Sequence, residues 1–252
     1  MGLTYQSSGG LLLREFIDTP LSADYVVALA GNPNTGKSTV FNALTGLRQH
    51  TGNWPGKTVV QARGNFTYSG RDFILVDLPG TYSLLANSPE EEIARDFICF
   101  GQPDAVVAVV DATCLERNLN LVLQIMEISP KTILCLNLID EAQRKQITID
   151  HRQLAAKLGI PVVPTAAREG KGLQELKETI LQIATGELVP QPMVLRYPDW
   201  IEEGITRIIP HLEHIPPGLN KRWLALRLID GDFSILESIA KYMEKRPPRE
   251  AV

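Results

Sequence analysis

The chain has 252 residues, 44% of them hydrophobic, and a net charge of −4 at neutral pH. This length suffices for one large domain or for a domain with an appendage, and the acidic charge argues against a dedicated nucleic-acid binder, which carries a basic surplus. No stretch approaches the roughly 20 apolar residues of a membrane-spanning helix and no signal peptide is evident, so the sequence predicts a soluble chain.

The first 24 residues contain Gly, Ser and Thr around one apolar patch. We predict a loosely structured N-terminal extension over residues 1–24, and a partner-docking segment is the alternative. The apolar run YVVALA at residues 25–30 then predicts a buried strand.

The stretch GNPNTGKST at residues 31–39 follows this strand and leads into a helical pattern that stops at Gly46. Its spacing is that of a phosphate-binding loop, whose backbone N–H groups and helix N-terminus attract phosphate oxygens. We expect Lys37 to reach the β- and γ-phosphates and the Ser38 hydroxyl to bind Mg²⁺. The predicted nucleotide-binding residues of this loop are Asn34, Thr35, Gly36, Lys37, Ser38 and Thr39.

The next segment, TGNWPGKTVV, lies between this helix and the following strand, where a first switch loop belongs. We predict that the Thr58 hydroxyl binds Mg²⁺ in the triphosphate state and that Gly56 contacts the nucleotide; Thr51 is the competing metal ligand.

The stretch FTYSGRDFILVDLPG predicts a hairpin that turns near Ser69 and Gly70 and enters a loop. Asp77 is expected to hold Mg²⁺ through water, and the Gly80 N–H to touch the γ-phosphate, so that hydrolysis releases the following loop. A strand that simply ends in a Pro-Gly turn is the alternative explanation.

Three further apolar runs, in DAVVAVVDA, KTILCLNLID and GIPVVPTAA, alternate with helical patterns near residues 90–100, 119–126, 151–158 and 172–183. This alternation predicts a mostly parallel sheet covered on both faces, an α/β fold whose ligands bind at the carboxyl ends of the strands.

The N-x-x-D stretch that ends the KTILCLNLID run predicts the base specificity. The Asp140 carboxylate can accept hydrogen bonds from the N1–H and 2-amino groups of guanine, and adenine would leave it unpaired. Asn137 is expected to brace the loop. A backbone N–H of Thr165, Ala166 or Ala167, after the next strand, is expected to meet the guanine carbonyl oxygen.

Thr81 stands where Ras-type GTPases have a glutamine that orients water, so the sequence predicts slow intrinsic hydrolysis. The Asn34 side chain and backbone carbonyls of the GNWPG segment offer a cage for a monovalent cation. The alternative is that Asn34 only tolerates the backbone geometry of the loop. The predicted catalytic residues are Asn34, Lys37, Thr58 and Gly80.

Beyond Gly186 a Pro-rich connection leads to three helical stretches, near residues 200–209, 220–229 and 233–244. We predict a G domain over residues 25–187, a small helical domain over residues 190–246 and a linker over residues 247–252. The three cysteines have no metal-ligand spacing and fit a reducing compartment. No iron site is predicted: the histidines lack further ligands, although His211 and His214 are three positions apart.

The motifs together resemble a known family. GNPNTGKSTVFNALTG, GNWPGKTVV, DLPGTYSL, DATCLERNLNL and NLID, in this order, resemble the cytosolic N-terminal region of bacterial ferrous iron transporter B (FeoB), and RWLALRLIDGD resembles its helical domain. The resemblance covers residues 25 to about 245. Leu138 and Thr165 depart from the usual family residues, which puts the affinity in doubt but not the class.

The resemblance implies a Ras-like G domain and a helical domain that tightens GDP binding. It also implies K⁺-stimulated hydrolysis, with the ion held by Asn34 and by the carbonyls of Gly52 and Trp54. The expected ligands are GTP, GDP, Mg²⁺ and K⁺. The expected partners are the membrane transport region of a parent protein that carries Fe²⁺ inward and small accessory proteins of iron uptake, at the cytoplasmic face of the bacterial inner membrane.

Two other functions stay open at this point. A soluble GTPase of ribosome or tRNA biology has a similar phosphate loop, but the net charge of −4 and the helical appendage argue against it. A GTP-dependent interaction module that does not hydrolyse GTP would be distinguished by a lack of turnover even with K⁺.

Overall fold

The computed structural model describes residues 23–46, 49–54, 57–213, 215, 216 and 218–244. Most of the predicted extension, residues 1–22, lies outside this part of the chain, as do Gly56, His214 and the predicted linker. The described residues up to Met193 form one compact unit, and those from Val194 onward form a second.

The first unit is built on a seven-stranded sheet in the order β2-β3-β4-β1-β5-β6-β7. The four pairs from β4 to β7 are parallel, whereas β2–β3 and β3–β4 are antiparallel. The predicted α/β class with a mostly parallel sheet is thereby confirmed. The strands are β1 (Tyr25–Gly31), β2 (Gln49–Asn53), β3 (Val60–Tyr68), β4 (Arg71–Asp77), β5 (Ala105–Asp111), β6 (Thr132–Asn137) and β7 (Val162–Pro164).

The predicted hairpin is present as β3 and β4. Ser69 and Gly70 join the two strands, with φ of +48° and +72°. Positive φ at both central residues is the geometry of a tight hairpin turn whose twist matches that of the strands. Strand β2 was not predicted: residues 49–53 carry no apolar alternation, and they form a strand by pairing with the edge of β3.

Helices cover both faces of the sheet. In chain order they are α1 (Lys37–Thr45), α2 (Pro89–Asp96), α3 (Leu115–Ile128), α4 (Ile139–Arg144), α5 (His151–Leu158) and α6 (Leu173–Thr185). Ser88 caps α2, since its side chain accepts a hydrogen bond from the Glu91 N–H. The helix predicted near residues 90–100 stops at Asp96 and continues as a π-helix, Phe97–Gly101, whose residues are all buried.

The main core packs α1 and α6 against one face of the sheet. Val27, Phe41, Phe73, Val107 and Ile180 are among its fully or nearly fully buried members. Strands β1, β5 and β6 are buried along almost their whole length, as expected for parallel strands covered on both sides. Cys99 and Cys135 belong to buried segments and Cys114 is exposed.

The second unit is helical, and the three α-helices among its described residues correspond to the three predicted stretches. They are α7 (Asp199–Ile208), α8 (Lys221–Ile229) and α9 (Ser234–Glu244). Ile205, Ala225 and Leu226 form its buried centre. Among the helices that the structure describes, none is long and apolar enough to cross a membrane.

Candidate functional site

The candidate site lies at the carboxyl ends of the parallel strands, where α/β sheets bind ligands. The phosphate loop leaves β1 at Gly31 and enters α1 through Gly36, whose φ is +80°. A Cβ atom on Gly36 would lie 2.4 Å from Asn137 Nδ2, so only glycine fits between the loop and β6. Within the loop, the Thr35 hydroxyl donates a hydrogen bond to the Asn32 carbonyl at 3.0 Å.

Lys37, in the first turn of α1, is directed towards β4. Its ammonium group contacts the Asp77 carboxylate and donates to the Leu78 carbonyl at 2.7 Å. Burial raises the pKa of the Asp77 carboxyl group, and the neighbouring Lys37 ammonium lowers that pKa only in part. The structure therefore joins two predicted site residues that are 40 positions apart.

The loop after Asp77 is held against the phosphate loop. The Leu78 N–H donates to the Leu29 carbonyl at 2.9 Å, and the Thr81 N–H donates to the Gly31 carbonyl at 3.3 Å. A Cβ on Gly80 would lie 3.5 Å from the Pro33 nitrogen, so the two loops are neighbours there. The D-x-x-G segment thus lies beside the phosphate loop.

Asn137, at the end of β6, joins three segments through its side chain, which is 1% exposed. Its Nδ2 donates to the Thr35 carbonyl at 3.1 Å. Its Oδ1 accepts from the Thr165 hydroxyl at 3.1 Å and from the Ala167 N–H at 3.2 Å. Asn137 therefore connects the phosphate loop to the predicted base loop. The sequence predicted only that Asn137 would brace a loop, not that it would link these two.

Asp140 lies in a helix, whereas the sequence had predicted that it lies at the end of a strand. Strand β6 ends at Asn137, Leu138 has a φ of +62°, and Asp140 lies in the first turn of α4 rather than in the strand. Its carboxylate accepts a hydrogen bond from Arg144 Nη2 at 2.8 Å. The i,i+4 spacing of Asp140 and Arg144 on a helix is the sequence signal for this pair.

The N–H groups of the segment after β7 already have acceptors. Those of Thr165, Ala166 and Ala167 donate to the Leu136 carbonyl, the Lys171 carbonyl and Asn137 Oδ1, respectively. The prediction that one of them meets the guanine carbonyl oxygen therefore requires one of these hydrogen bonds to be shared or replaced.

Of the remaining predicted residues that the structure describes, all but Trp54 lie at exposed or edge positions. Asn34 is exposed with a φ of +66°, and Ser38 and Thr39 are exposed in the first turn of α1. Thr51 and Gly52 belong to the edge strand β2, with Gly52 opposite Gln61. Thr58 is exposed. Trp54 is 2% exposed, and its carbonyl accepts from the Lys57 N–H at 2.9 Å.

The chemistry of these donors suits the expected ions. Ser38, Thr58 and Asp77 offer hydroxyl and carboxylate oxygens, the ligands that Mg²⁺ prefers. Asn34, Gly52 and Trp54 offer amide and carbonyl oxygens, which suit a monovalent cation, although the Trp54 carbonyl already accepts one hydrogen bond. Among the described residues, no group of three or more His, Cys, Asp or Glu side chains has the arrangement of a metal site.

Two family models match the chain. The one described as ferrous iron transport protein B covers residues 25–180, and the one described as the FeoB cytosolic helical domain covers residues 197–252. Together they account for both structural units.

Longer relatives of known family are similar to this chain in sequence. A fusion of Fe(2+) transport protein A with Fe(2+) transporter FeoB from Porphyromonas gingivalis is 41% identical over 211 residues, which are 82% of this chain and 25% of that protein. The Fe(2+) transporter FeoB of Salmonella typhimurium is 40% identical over 215 residues, 82% of this chain and 27% of that protein. The chain thus spans about a quarter of the length of these relatives.

Solved structures of cytosolic domains are similar to this chain over most of their own length. The cytosolic domain of the T. maritima FeoB iron transporter in a GDP form is 40% identical, with a TM-score of 0.79 over 92% of this chain and 89% of that one. Its GMPPNP form is 41% identical, with a TM-score of 0.78 over 90% of this chain and 88% of that one.

Proposed function

Because this chain belongs to the family of ferrous iron transport protein B, as its G domain and helical domain, we propose that it binds GTP with Mg²⁺ and acts as the GTP switch of an Fe²⁺ transporter. Membership in the family makes the first domain a GTPase. The nucleotide assignment is supported most strongly by the hydrogen bonds of the Asn137 side chain. Three of them join the phosphate loop to the predicted base loop.

The residues at the sheet edge divide the binding task. Lys37 neutralises charge on the β- and γ-phosphates once it leaves Asp77, and the Asp140 carboxylate receives the N1–H and 2-amino groups of guanine. Ser38, Asp77 and, in the triphosphate state, Thr58 would hold Mg²⁺, which when bound neutralises charge on the phosphates. The Gly80 N–H faces the γ-phosphate and senses its loss.

Intrinsic hydrolysis is slow in this proposal because Thr81, and not a water-orienting glutamine, follows the D-x-x-G segment. Thr81 occupies the position after D-x-x-G and is buried, with its N–H bonded to the Gly31 carbonyl. We propose that K⁺ raises the rate, held by Asn34 and by the carbonyls of Gly52 and Trp54. Asn34 supports this assignment because it is exposed on the phosphate loop, where its backbone has a left-handed conformation.

The rest of the transporter lies outside this chain in the proposal. A membrane region of a parent protein would carry Fe²⁺, with this chain at the cytoplasmic face of the bacterial inner membrane. The helical domain would tighten GDP binding. Small accessory proteins of iron uptake are proposed partners, and the fusion of transport protein A with FeoB in the Porphyromonas relative supports such an association.

A soluble GTPase of ribosome or tRNA biology is disfavoured because both units match FeoB models. A GTP-dependent module without hydrolysis would show no turnover in any salt. GTP turnover by the purified chain in K⁺ and in Na⁺ tests the proposal, with Asn34→Ala as the variant and Asn65→Ala, an exposed asparagine of β3, as the control. We expect a several-fold rise in K⁺ that only Asn34→Ala loses. Equal slow rates in both salts would refute the K⁺ assignment.

A further inference from the structure

Backbone hydrogen bonds link Trp54 to the residues on either side of Thr58. The Trp54 N–H donates to the Val59 carbonyl, and the Lys57 N–H donates to the Trp54 carbonyl, both at 2.9 Å. Thr58 therefore lies between two residues whose backbones are tied to Trp54. Thr58 itself is exposed.

Trp54 anchors this loop on the segment that follows α2. Its ring centroid lies 5.6 Å from that of Phe97, with 73° between the ring planes. This edge-to-face arrangement is a favourable one for aromatic pairs. Phe97 is fully buried and continues α2 as the first residue of the π-helix. Trp54 is thus packed against a fully buried residue of the core.

A second contact fixes the loop three residues later. Lys57 Nζ lies 2.9 Å from Glu92 Oε2 in the first turn of α2, and the two side chains are 37% and 31% exposed. An ion pair this accessible contributes little by itself. Here the Lys57 backbone is also tied to the Trp54 carbonyl, so less backbone entropy is lost when the ion pair forms.

We propose that Glu92, acting through Lys57, and Trp54 are positioning residues that preorganise the Thr58 hydroxyl for the Mg²⁺–GTP complex. The inference rests on the proposed GTP-binding function. A ligand group held in place before binding loses less conformational entropy on binding. Because Thr58 serves the triphosphate state, these contacts favour GTP over GDP.

The test compares the affinities of the full chain for GMPPNP and GDP, both with Mg²⁺. Glu92→Gln and Lys57→Met are each expected to weaken the affinity for GMPPNP about two- to fivefold, the range of a partly exposed ion pair. The affinity for GDP should stay within about twofold of the wild-type value. Glu92→Lys should weaken GMPPNP further, and the exchanged pair Lys57→Glu with Glu92→Lys should recover most of the loss. Glu175→Gln, an exposed carboxylate in the first turn of α6, is the charge control.

A double-mutant comparison separates positioning from a structural role. Adding Glu92→Gln to Thr58→Ala should cause no further loss of GMPPNP affinity if Glu92 acts through Thr58. Equal losses for GMPPNP and GDP, no loss, tighter GMPPNP binding, or a full additional loss in the Thr58→Ala background would each overturn the inference. A wild-type chain that binds neither nucleotide would instead refute the proposed function.

Discussion

The Lys37 ammonium group contacts the Asp77 carboxylate and also donates to the Leu78 carbonyl at 2.7 Å. The phosphate-loop lysine therefore already has two oxygen partners in this arrangement. In the proposed GTP site, phosphate oxygens would compete with these partners, and a Mg²⁺ ion that takes Asp77 as a partner would release the lysine. We therefore expect the contact to link metal binding to phosphate binding through one carboxylate.

Asp77→Asn is expected to separate these two effects. Without Mg²⁺, in EDTA, the variant should bind GDP about two- to fivefold more tightly, because Lys37 loses a competing charged partner. Adding Mg²⁺ increases the affinity for GMPPNP, and we expect this increase to be at least about tenfold smaller in the variant than in the wild type. Titrations of GDP and GMPPNP with and without Mg²⁺ measure both. Weaker GDP binding in EDTA would show that the contact does not compete with phosphate.

Gly36→Ala should damage both folding and nucleotide binding. The new Cβ would lie 2.4 Å from Asn137 Nδ2 in a residue with a φ of +80°. Gly46→Ala is the matched control, since Gly46 also has a positive φ but has open space around its Cβ position. We expect Gly46→Ala to cost about 1 kcal/mol with unchanged GDP affinity.

For Gly36→Ala we expect a larger loss of stability and at least a tenfold loss of GDP affinity, because the clash displaces the Asn137 side chain. Urea unfolding and GDP titration give the two quantities. Equal stability losses for the two alanine variants would mean that the phosphate loop moves away from β6 without cost.

Asp140→Asn should change the base that the site accepts. The carboxylate accepts hydrogen bonds at both oxygens, whereas an amide offers one acceptor and one donor. We expect GDP affinity to fall by at least about a hundredfold and affinity for xanthosine diphosphate, which has a carbonyl in place of the 2-amino group, to rise. Competition titrations with the two nucleotides measure this change.

Arg144→Ala is the companion to this experiment, because Arg144 donates to the Asp140 carboxylate from an exposed position. Its loss should alter GDP affinity less than about fivefold, as is typical of an exposed ion pair. A loss as large as that of Asp140→Asn would assign Arg144 to the base site itself.

Glu202→Gln should make the stability of the helical unit less dependent on acid pH. Both Glu202 oxygens accept from Arg222 at 2.7 Å, and the Tyr197 N–H adds a bond at 2.8 Å. The hydrogen bond from Arg222, followed by that from Tyr197, lowers the pKa of Glu202 to about 2. A lowered folded-state pKa means stability that is present above the ordinary pKa of a glutamate and is lost as the pH falls towards 2.

Thermal unfolding of wild type and Glu202→Gln between pH 7 and pH 2 checks this prediction. The difference in Tm should be largest near neutral pH and should shrink below about pH 4. Glu203→Gln, on the same helix with a longer contact of 3.7 Å to Arg207, is the control and should follow wild type closely. A constant difference across the pH range would show that the charge of Glu202 contributes nothing.

Features that depend on near neighbours in the chain were predictable. The strand, loop and helix around Lys37 follow from apolar runs and glycine spacing, and the hairpin follows from its turn residues Ser69 and Gly70. The three helices of the second unit match three apolar periodic stretches within two residues at either end. Asp140 was predicted to be a site residue, but its place in the first turn of α4 was not predicted, because the left-handed Leu138 ends β6 early.

The sequence by itself determined the fold class, through the local periodicity of its apolar residues, and the family, through the resemblance of its short motifs. It also predicted the positions of the phosphate, base and metal motifs from spacing within short segments. Only the tertiary structure decided which of those motifs share contacts. Asn137 reaches Thr35 across 102 positions, Lys37 reaches Asp77 across 40, and Lys57 reaches Glu92 across 35. Such pairs depend on strand order and on register in the sheet, which place distant segments side by side and leave no periodic signal in the sequence.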